Sequence, residues 1–216
     1  FDQWERIASS IARLNYSYMN RYLLTAVVRV DGSSRLKIGN YYGTFPGVSL
    51  GWNLHEEAFY KNTTLAKYVN RIKPRLSYGV NGNVSSLGLF ATSQVYNNAG
   101  TYNGFGGTYV ANYINSDVRW ERANSLNFGL DAGFLNNKLG FELSVYKKKT
   151  DDMLLKLPVQ GILGMSAPVQ NAGSVENTGF DLNIFHNNRI NKDFSYAVNL
   201  NLAYVKNRIT NLEGTE

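Results

Sequence analysis

A chain of 216 residues with 18% charged side chains, 13% aromatics, fifteen Tyr, twenty Gly and no Cys excludes disulfide scaffolds, zinc-cysteine sites and thiol nucleophiles. Its apolar runs, such as Leu23–Leu24 and Val27–Val28, are broken within a few residues by Thr25 or Arg29, so no transmembrane helix can be drawn. The formal charge of +6 does not make a nucleic-acid binder, because Lys and Arg are scattered and the one run, Lys147–Lys148–Lys149, is a solvated strand end.

The chain begins abruptly at Phe1 in strand-like sequence with no signal-like segment, as a piece of a longer protein would. A first strand is expected near Ile7 to Tyr18, then a tight turn at Met19–Asn20. Tyr22, Leu24, Ala26, Val28 and Val30 recur at period two and predict the next strand, which a longer connection from Ser33 to Tyr41 separates from Val48, Leu50 and Trp52. From His55 to Asn70 the pattern lapses, and Glu56–Glu57–Ala58–Phe59 suits a short helix. Leu76, Tyr78 and Val80 mark another strand, and Asn83 to Ala123 reads as the largest loop.

Alternation then returns more strongly. Leu126, Phe128, Leu130 and Phe134 oppose Asn127, Gly129, Asp131 and Gly133, and after a tight turn from Leu135 to Lys138, Leu139, Phe141, Leu143 and Val145 oppose Gly140, Glu142 and Ser144. A long connection from Asp151 to Ala172 leads to Phe180, Leu182 and Ile184, and a short one from Asn187 to Lys192 leads to the clearest strand, Phe194 to Tyr204. There Phe194, Tyr196, Val198, Leu200, Leu202 and Tyr204 form one face, and Ser195, Ala197, Asn199, Asn201 and Ala203 the other.

Segments of about ten residues with one greasy face, separated alternately by short and long connections, describe a transmembrane antiparallel β-barrel with short periplasmic turns and large external loops. The fold class is therefore all-β. About eight strands whose polar rows are Gly, Ala, Ser and Asn suit part of a wide wall better than a small closed barrel filled by side chains. Tyr16, Tyr18, Tyr22, Trp52, Tyr146 and Tyr204 at strand ends suit interfacial girdles. A soluble β-sandwich that binds glycans is the alternative, and it predicts Leu139, Phe141 and Leu143 buried against a second sheet.

No catalytic constellation emerges. His55 and His186 are isolated, Asp151–Asp152 lacks calcium-loop spacing, and Gly104-Phe105-Gly106-Gly107 lacks the Lys-Ser/Thr of a phosphate loop. Neither an enzyme nor a metal or cofactor site is expected. The aromatic, Asn-rich large loop supplies candidates for contact with a substrate or a lid, Tyr102, Tyr109, Tyr113 and Trp120, because aromatic faces stack and amides both donate and accept. Asn127, Asp131, Asn199 and Asn201 are the candidates for facing the lumen.

Several phrases resemble the SusC/RagA family of TonB-dependent outer-membrane transporters, in their order and spacing. They are Arg21-Tyr22-Leu23-Leu24 leading to Asp31-Gly32-Ser33-Ser34-Arg35, Tyr42-Gly43-Thr44-Phe45-Pro46-Gly47-Val48-Ser49-Leu50-Gly51-Trp52, Arg75-Leu76-Ser77-Tyr78-Gly79-Val80-Asn81-Gly82-Asn83, Trp120-Glu121-Arg122 and Asn171-Ala172-Gly173-Ser174-Val175-Glu176-Asn177-Thr178-Gly179-Phe180. Leu36 and Asp181 depart from the family's usual Phe and Glu. The resemblance implies that residues 1–216 are the later part of a 22-stranded barrel whose plug domain and TonB box lie outside them. It further implies a place in the cell outer membrane and active import of an oligosaccharide or peptide. The implied partners are the TonB complex, a SusD-like surface lipoprotein, membrane lipid and the small nutrient ligand. A passive porin is the alternative among barrels.

Overall fold

The computed structural model describes residues 4–110, 112–158, 160, 162 and 166–212, apart from the side chain of Tyr102. In chain order its strands are β1 (Ile7–Tyr18), β2 (Tyr22–Ser33), β3 (Tyr42–Trp52), β4 (Val69–Asn83), β5 (Tyr96–Tyr102), β6 (Phe105–Val110), β7 (Glu121–Phe134), β8 (Leu139–Asp151), β9 (Leu154–Lys156), β10 (Val169–Asn171), β11 (Ser174–Arg189) and β12 (Ser195–Asn211). Eight of them form one antiparallel sheet in the order β1-β2-β3-β4-β7-β8-β11-β12, while β5–β6 and β9–β10 are separate two-stranded ladders.

Register carries the side-chain alternation across the whole sheet. Tyr16, Leu24, Leu50, Leu76, Phe128, Val145, Phe180 and Tyr204 are successive partners in one row. The next row, on the other face, runs Asn15, Thr25, Ser49, Ser77, Asn127, Tyr146, Gly179 and Val205. A strand's period of two forces this split, and any slip by one residue would exchange the faces. Although Leu50, Leu76, Phe128 and Val145 lie in mid-sheet, they are 46–50% exposed, so nothing among the described residues covers them. Among the described residues no second sheet packs over Leu139, Phe141 and Leu143, and the soluble-sandwich alternative fails on that face. The apolar rows require an apolar solvent.

The short turns between neighbouring strands of the large sheet lie at one end. Met19 and Asn20, and then Leu135, Asn136 and Asn137, take positive φ, the conformation that lets a tight hairpin follow the twist of its strands. The long connection 53–68 joins them, and its length has a structural reason. It contains a turn of 3-10 helix (Leu54–Glu56), a short α-helix α1 (Ala58–Lys61) and a second 3-10 turn (Thr64–Lys67), so the α-helix takes only Ala58 and Phe59 of the expected Glu56–Glu57–Ala58–Phe59 and runs on to Lys61. Glu57 is buried and accepts hydrogen bonds from Tyr22 Oη at 2.8 Å and Trp52 Nε1 at 3.0 Å, with Arg21 at 3.3 Å. It thereby clamps a ladder of rings, Tyr18 on Tyr22, Tyr22 on Trp52 and Trp52 beside Phe59.

The other long connections, 34–41, 84–120 and 152–173, lie at the opposite end, and so does the main buried cluster. Leu36, Phe45, Val84, Leu87, Val118, Trp120, Leu154 and Val169 form one cluster where three loops fold together over the strand ends. The β3–β4 ladder runs only from Gly47–Gly79 to Gly51–Arg75. Beyond it stands Pro46, which has no N–H to give, and the Phe45 ring lies against Gly43, Gly82 and Trp120. The strands extend further than the alternation foretells. β12 continues past Tyr204 to Asn211, β11 stays paired to Arg189, and the expected loop from Asn83 to Ala123 contains the β5–β6 hairpin.

Leu200 pairs with Ile184 on the apolar face and Asn199 with Phe185 on the other. In the full-length protein Leu200→Arg is expected to cost about 2–4 kcal/mol of barrel stability near mid-bilayer. Asn199→Arg is expected to be far milder, as read from denaturant unfolding midpoints in lipid, and equal damage from both would reverse the facing.

Hydrogen bonds from Trp52 and Tyr22, together with the Arg21 charge, hold the Glu57 carboxyl below its ordinary pKa against the cost of burial. A depressed pKa stabilises the fold above the ordinary carboxylate range, and that stability is lost as pH falls through the lowered value. Glu57→Gln should therefore lower the thermal midpoint at neutral pH, with the gap to the parent closing in acid. A gap independent of pH would remove the ionised carboxylate from the account.

Candidate functional site

Above the loop-side core stands the β5–β6 hairpin, turned by Asn103 and Gly104, both with positive φ as a tight two-residue turn demands. That turn accounts for the start of the glycine-rich stretch. On β6 the period of two places Phe105 and Tyr109 on one face, while Tyr96 is paired with Val110. Phe105 is 78% exposed, Tyr113 59% and Tyr109 49%, so three rings are presented to the exterior.

Asparagine amides fasten this display. Asn112 accepts from Val95 N at 2.9 Å and donates to Ser93 O at 3.2 Å, closing the hairpin base. Asn171 accepts from Arg119 N and donates to Arg119 O and Asp152 O, all within 2.9 Å, and Asn40 donates to Val118 O at 3.1 Å. The buried carboxylate of Glu121 accepts from Asn83 Nδ2 at 2.7 Å, Leu154 N at 2.8 Å and Ser86 Oγ at 3.4 Å. Composition alone marks such residues as polar loop; their staple geometry appears only with the fold.

The four aromatic candidates part company. Tyr109 and Tyr113 are outward, whereas Trp120 is 8% exposed, meets Phe45 edge-on at 5.5 Å and donates from Nε1 to Tyr41 O at 3.2 Å. Both its ring and its polar tip are used in packing the loop base. The Tyr102 side chain lies outside the described residues.

Asn127, Asp131, Asn199 and Asn201 all stand on the face opposite the apolar rows. Asp131 differs from the others, being 5% exposed under a fork from Arg75, whose Nη2 and Nε lie 2.6 and 3.1 Å from Oδ1, with Arg71 at 3.5 Å. Gly129 allows that approach, since a Cβ there would lie 2.9 Å from the guanidinium carbon. Beside the fork a shallow cleft of about 310 Å³ is lined by Arg75, Glu142, Asp181, Asn183 and Asn201.

No group of three metal-ligating side chains occurs among the described residues. Asp151 accepts from Ser174 Oγ at 2.7 Å and pairs with Lys149 at 2.8 Å, and Asp152 pairs with Arg119 at 2.8 Å, so the adjacent carboxylates are occupied separately. His55 Nδ1 lies 3.0 Å from Ile72 O, and His186 meets the Tyr196 ring near the short-turn end. The arrangement suits binding by stacking and hydrogen bonding at the loops, over a wall whose face opposite the apolar rows is charged.

Removing one member of the fork tests that wall. Arg75→Met leaves a buried carboxylate with a distant partner and should cost about 1–3 kcal/mol in denaturant unfolding of the full-length barrel. Arg75→Met with Asp131→Asn should recover part of it, and strict additivity would contradict the coupling.

The sequence matches the family described as TonB dependent receptor-like, beta-barrel, over residues 3–216. It is 37% identical over 216 residues to the TonB-dependent receptor SusC of Bacteroides thetaiotaomicron, covering 96% of this chain and 21% of that protein. Three TonB-dependent receptors of Formosa agariphila are 32–35% identical over 95–98% of this chain and 20–21% of their own lengths. Among solved structures, it superposes on the RagAB peptide transporter with a TM-score of 0.88 at 29% identity, covering 97% of this chain and 23% of that one. The chain thus spans about a fifth of the length of the curated relatives it matches.

Proposed function

The chain belongs to the TonB-dependent receptor-like β-barrel family, and on that premise we propose that it is the loop-bearing later wall of an outer-membrane importer that takes up an oligosaccharide or peptide. The rest of the protein supplies the plug domain and TonB box, and TonB drives uptake by acting on the plug. A SusD-like surface lipoprotein closes over the external loops and delivers the ligand. RagAB is a peptide transporter, which favours a nutrient of that size and polarity for this chain as well. The relatives named above are receptors and transporters, and the chemistry proposed is binding and passage.

The observation that carries this reading is the stapled hairpin with Phe105 and Tyr109 outward, and Tyr113 exposed just past it, mounted on the long-loop end of a wall whose apolar face is bare. An exposed ring on a fixed hairpin stacks on a sugar ring or apolar side chain with little ordering cost. Asn127, Asn199 and Asn201 then line the inner wall, where amides hydrate a passing solute or the plug. Asp131 holds Arg75 and Arg71 in place on the same wall.

In the full-length transporter, Tyr109→Ala with Tyr113→Ala should reduce uptake severalfold while outer-membrane abundance stays unchanged. Uptake kinetics identical to the parent would exclude these rings from ligand or lid contact. Uptake that persists after TonB is deleted would exclude active import and favour a passive pore.

A further inference from the structure

The apolar face of the sheet is not uniform toward its loop end. A groove of about 580 Å³ opens between strands there, lined by Leu126, Phe128, Val145, Phe180 and Tyr204, with Lys147 and Lys206 at one end. Register produces this layout. Val145, Phe180 and Tyr204 form one row, and Lys147, Thr178 and Lys206 form the next row on the same face toward the loops, with the short Thr178 between the two lysines. The row beyond holds Lys149, Glu176 and Arg208.

Charge is unbalanced in this belt. Lys147 lies 2.9 Å from Glu176 and Lys149 lies 2.8 Å from Asp151. Among the described residues neither Lys206 nor Arg208 has a carboxylate partner. Two cations on a face that is otherwise greasy therefore lack a counter-charge within the sheet.

Depth along the strand decides what meets them. From Tyr196, at the short-turn end of β12, to Lys206 the rise of about 3.3 Å per residue and a tilt of about 40° give roughly 25 Å along the membrane normal, the height of a barrel's apolar band. Lys147 and Lys206 thus stand where the hydrocarbon of the external leaflet gives way to its headgroups, and the groove beneath them lies wholly in hydrocarbon.

We propose that this groove is a binding site for an anionic lipid of the outer leaflet, with a lipid phosphate held between Lys147 and Lys206 and an acyl chain laid along Val145, Phe180 and Phe128. Phosphate supplies the negative charge that Lys206 and Arg208 lack, Lys147 shares its ammonium protons between that phosphate and Glu176 at 2.9 Å, and the chain fills an apolar channel that has no hydrogen-bonding use for water. A second copy of the protein on the same face would oppose these cations with its own, so charge favours lipid over self-association. The site rests on the chain's place in the outer membrane and not on what the barrel imports, so failure of the uptake tests and failure of this one are separate outcomes.

The test uses the full-length protein, purified folded in neutral detergent, with diphosphoryl lipid A as probe and dioleoylphosphatidylcholine as the uncharged comparison, binding being read by native mass spectrometry. Lys147→Gln with Lys206→Gln should weaken lipid A binding by about fivefold per lysine while leaving phosphatidylcholine unchanged. Lys147→Arg with Lys206→Arg keeps the charge and should bind as the parent does. Lys148→Gln removes a neighbouring charge from the opposite face and should have no effect. Lipid A binding untouched by the Gln pair, or weakened equally by Lys148→Gln, overturns the proposal. So does a parent that dimerises through this face and releases no lipid A when the Gln pair is made.

Discussion

Inside a bilayer no water is available to satisfy a backbone N–H or C=O, and each unpaired group costs several kcal/mol. The ladder of this sheet answers that constraint strand by strand, from β1 through β12, and fixes the register by which every other feature is ordered. Because partners across the ladder share a face, one alternating strand after another adds to the same two surfaces. The outer edges of β1 and β12 are left to be paired by strands that this sheet does not contain, consistent with relatives about five times as long. Where the ladder does open, between β3 and β4, Pro46 and the Phe45 ring occupy the break.

With lipid as the solvent for one face, the protein has no need of a second layer, and its buried core moves to the rim. Leu36, Leu87, Val118 and Trp120 are almost fully buried, yet all belong to the connections at the loop end. There water surrounds the chain and the hydrophobic effect regains its usual role. Glu121 and the asparagine staples then tie the loop backbones to one another, because loops folded on a core must satisfy their own polar groups.

The two membrane boundaries are marked by different chemistry. At the short-turn end, Tyr18, Tyr22, Trp52 and Phe59 stack in a ladder that Glu57 locks from outside the bilayer. At the loop end the boundary is a cationic belt on the apolar side and the Glu121 network on the other. Aromatic rings tolerate the mixed polarity of an interface, while ammonium groups answer phosphate.

Composition and the period-two pattern were enough to determine a wall of about eight membrane strands, its tight turns at Met19–Asn20 and near Asn136, and the faces on which Asn127, Asp131, Asn199 and Asn201 stand. They suffice because hydrocarbon on one side and a wet interior on the other impose opposite demands on successive residues. Past the bilayer edge both faces are wet and the code lapses while the backbone ladder continues. That is why β12 runs on through Val205 and Lys206 to Asn211, and why the β5–β6 hairpin hides in a stretch that reads as loop. Only the tertiary structure decided that Trp120 is packed while Tyr109 and Tyr113 are free, and that Asp131 is buried under Arg75. It also decided that Glu57 clamps the ring ladder and that Lys147 and Lys206 stand on either side of Thr178. Each depends on partners dozens of residues away, and a single strand's alternation holds no record of what lies beside it.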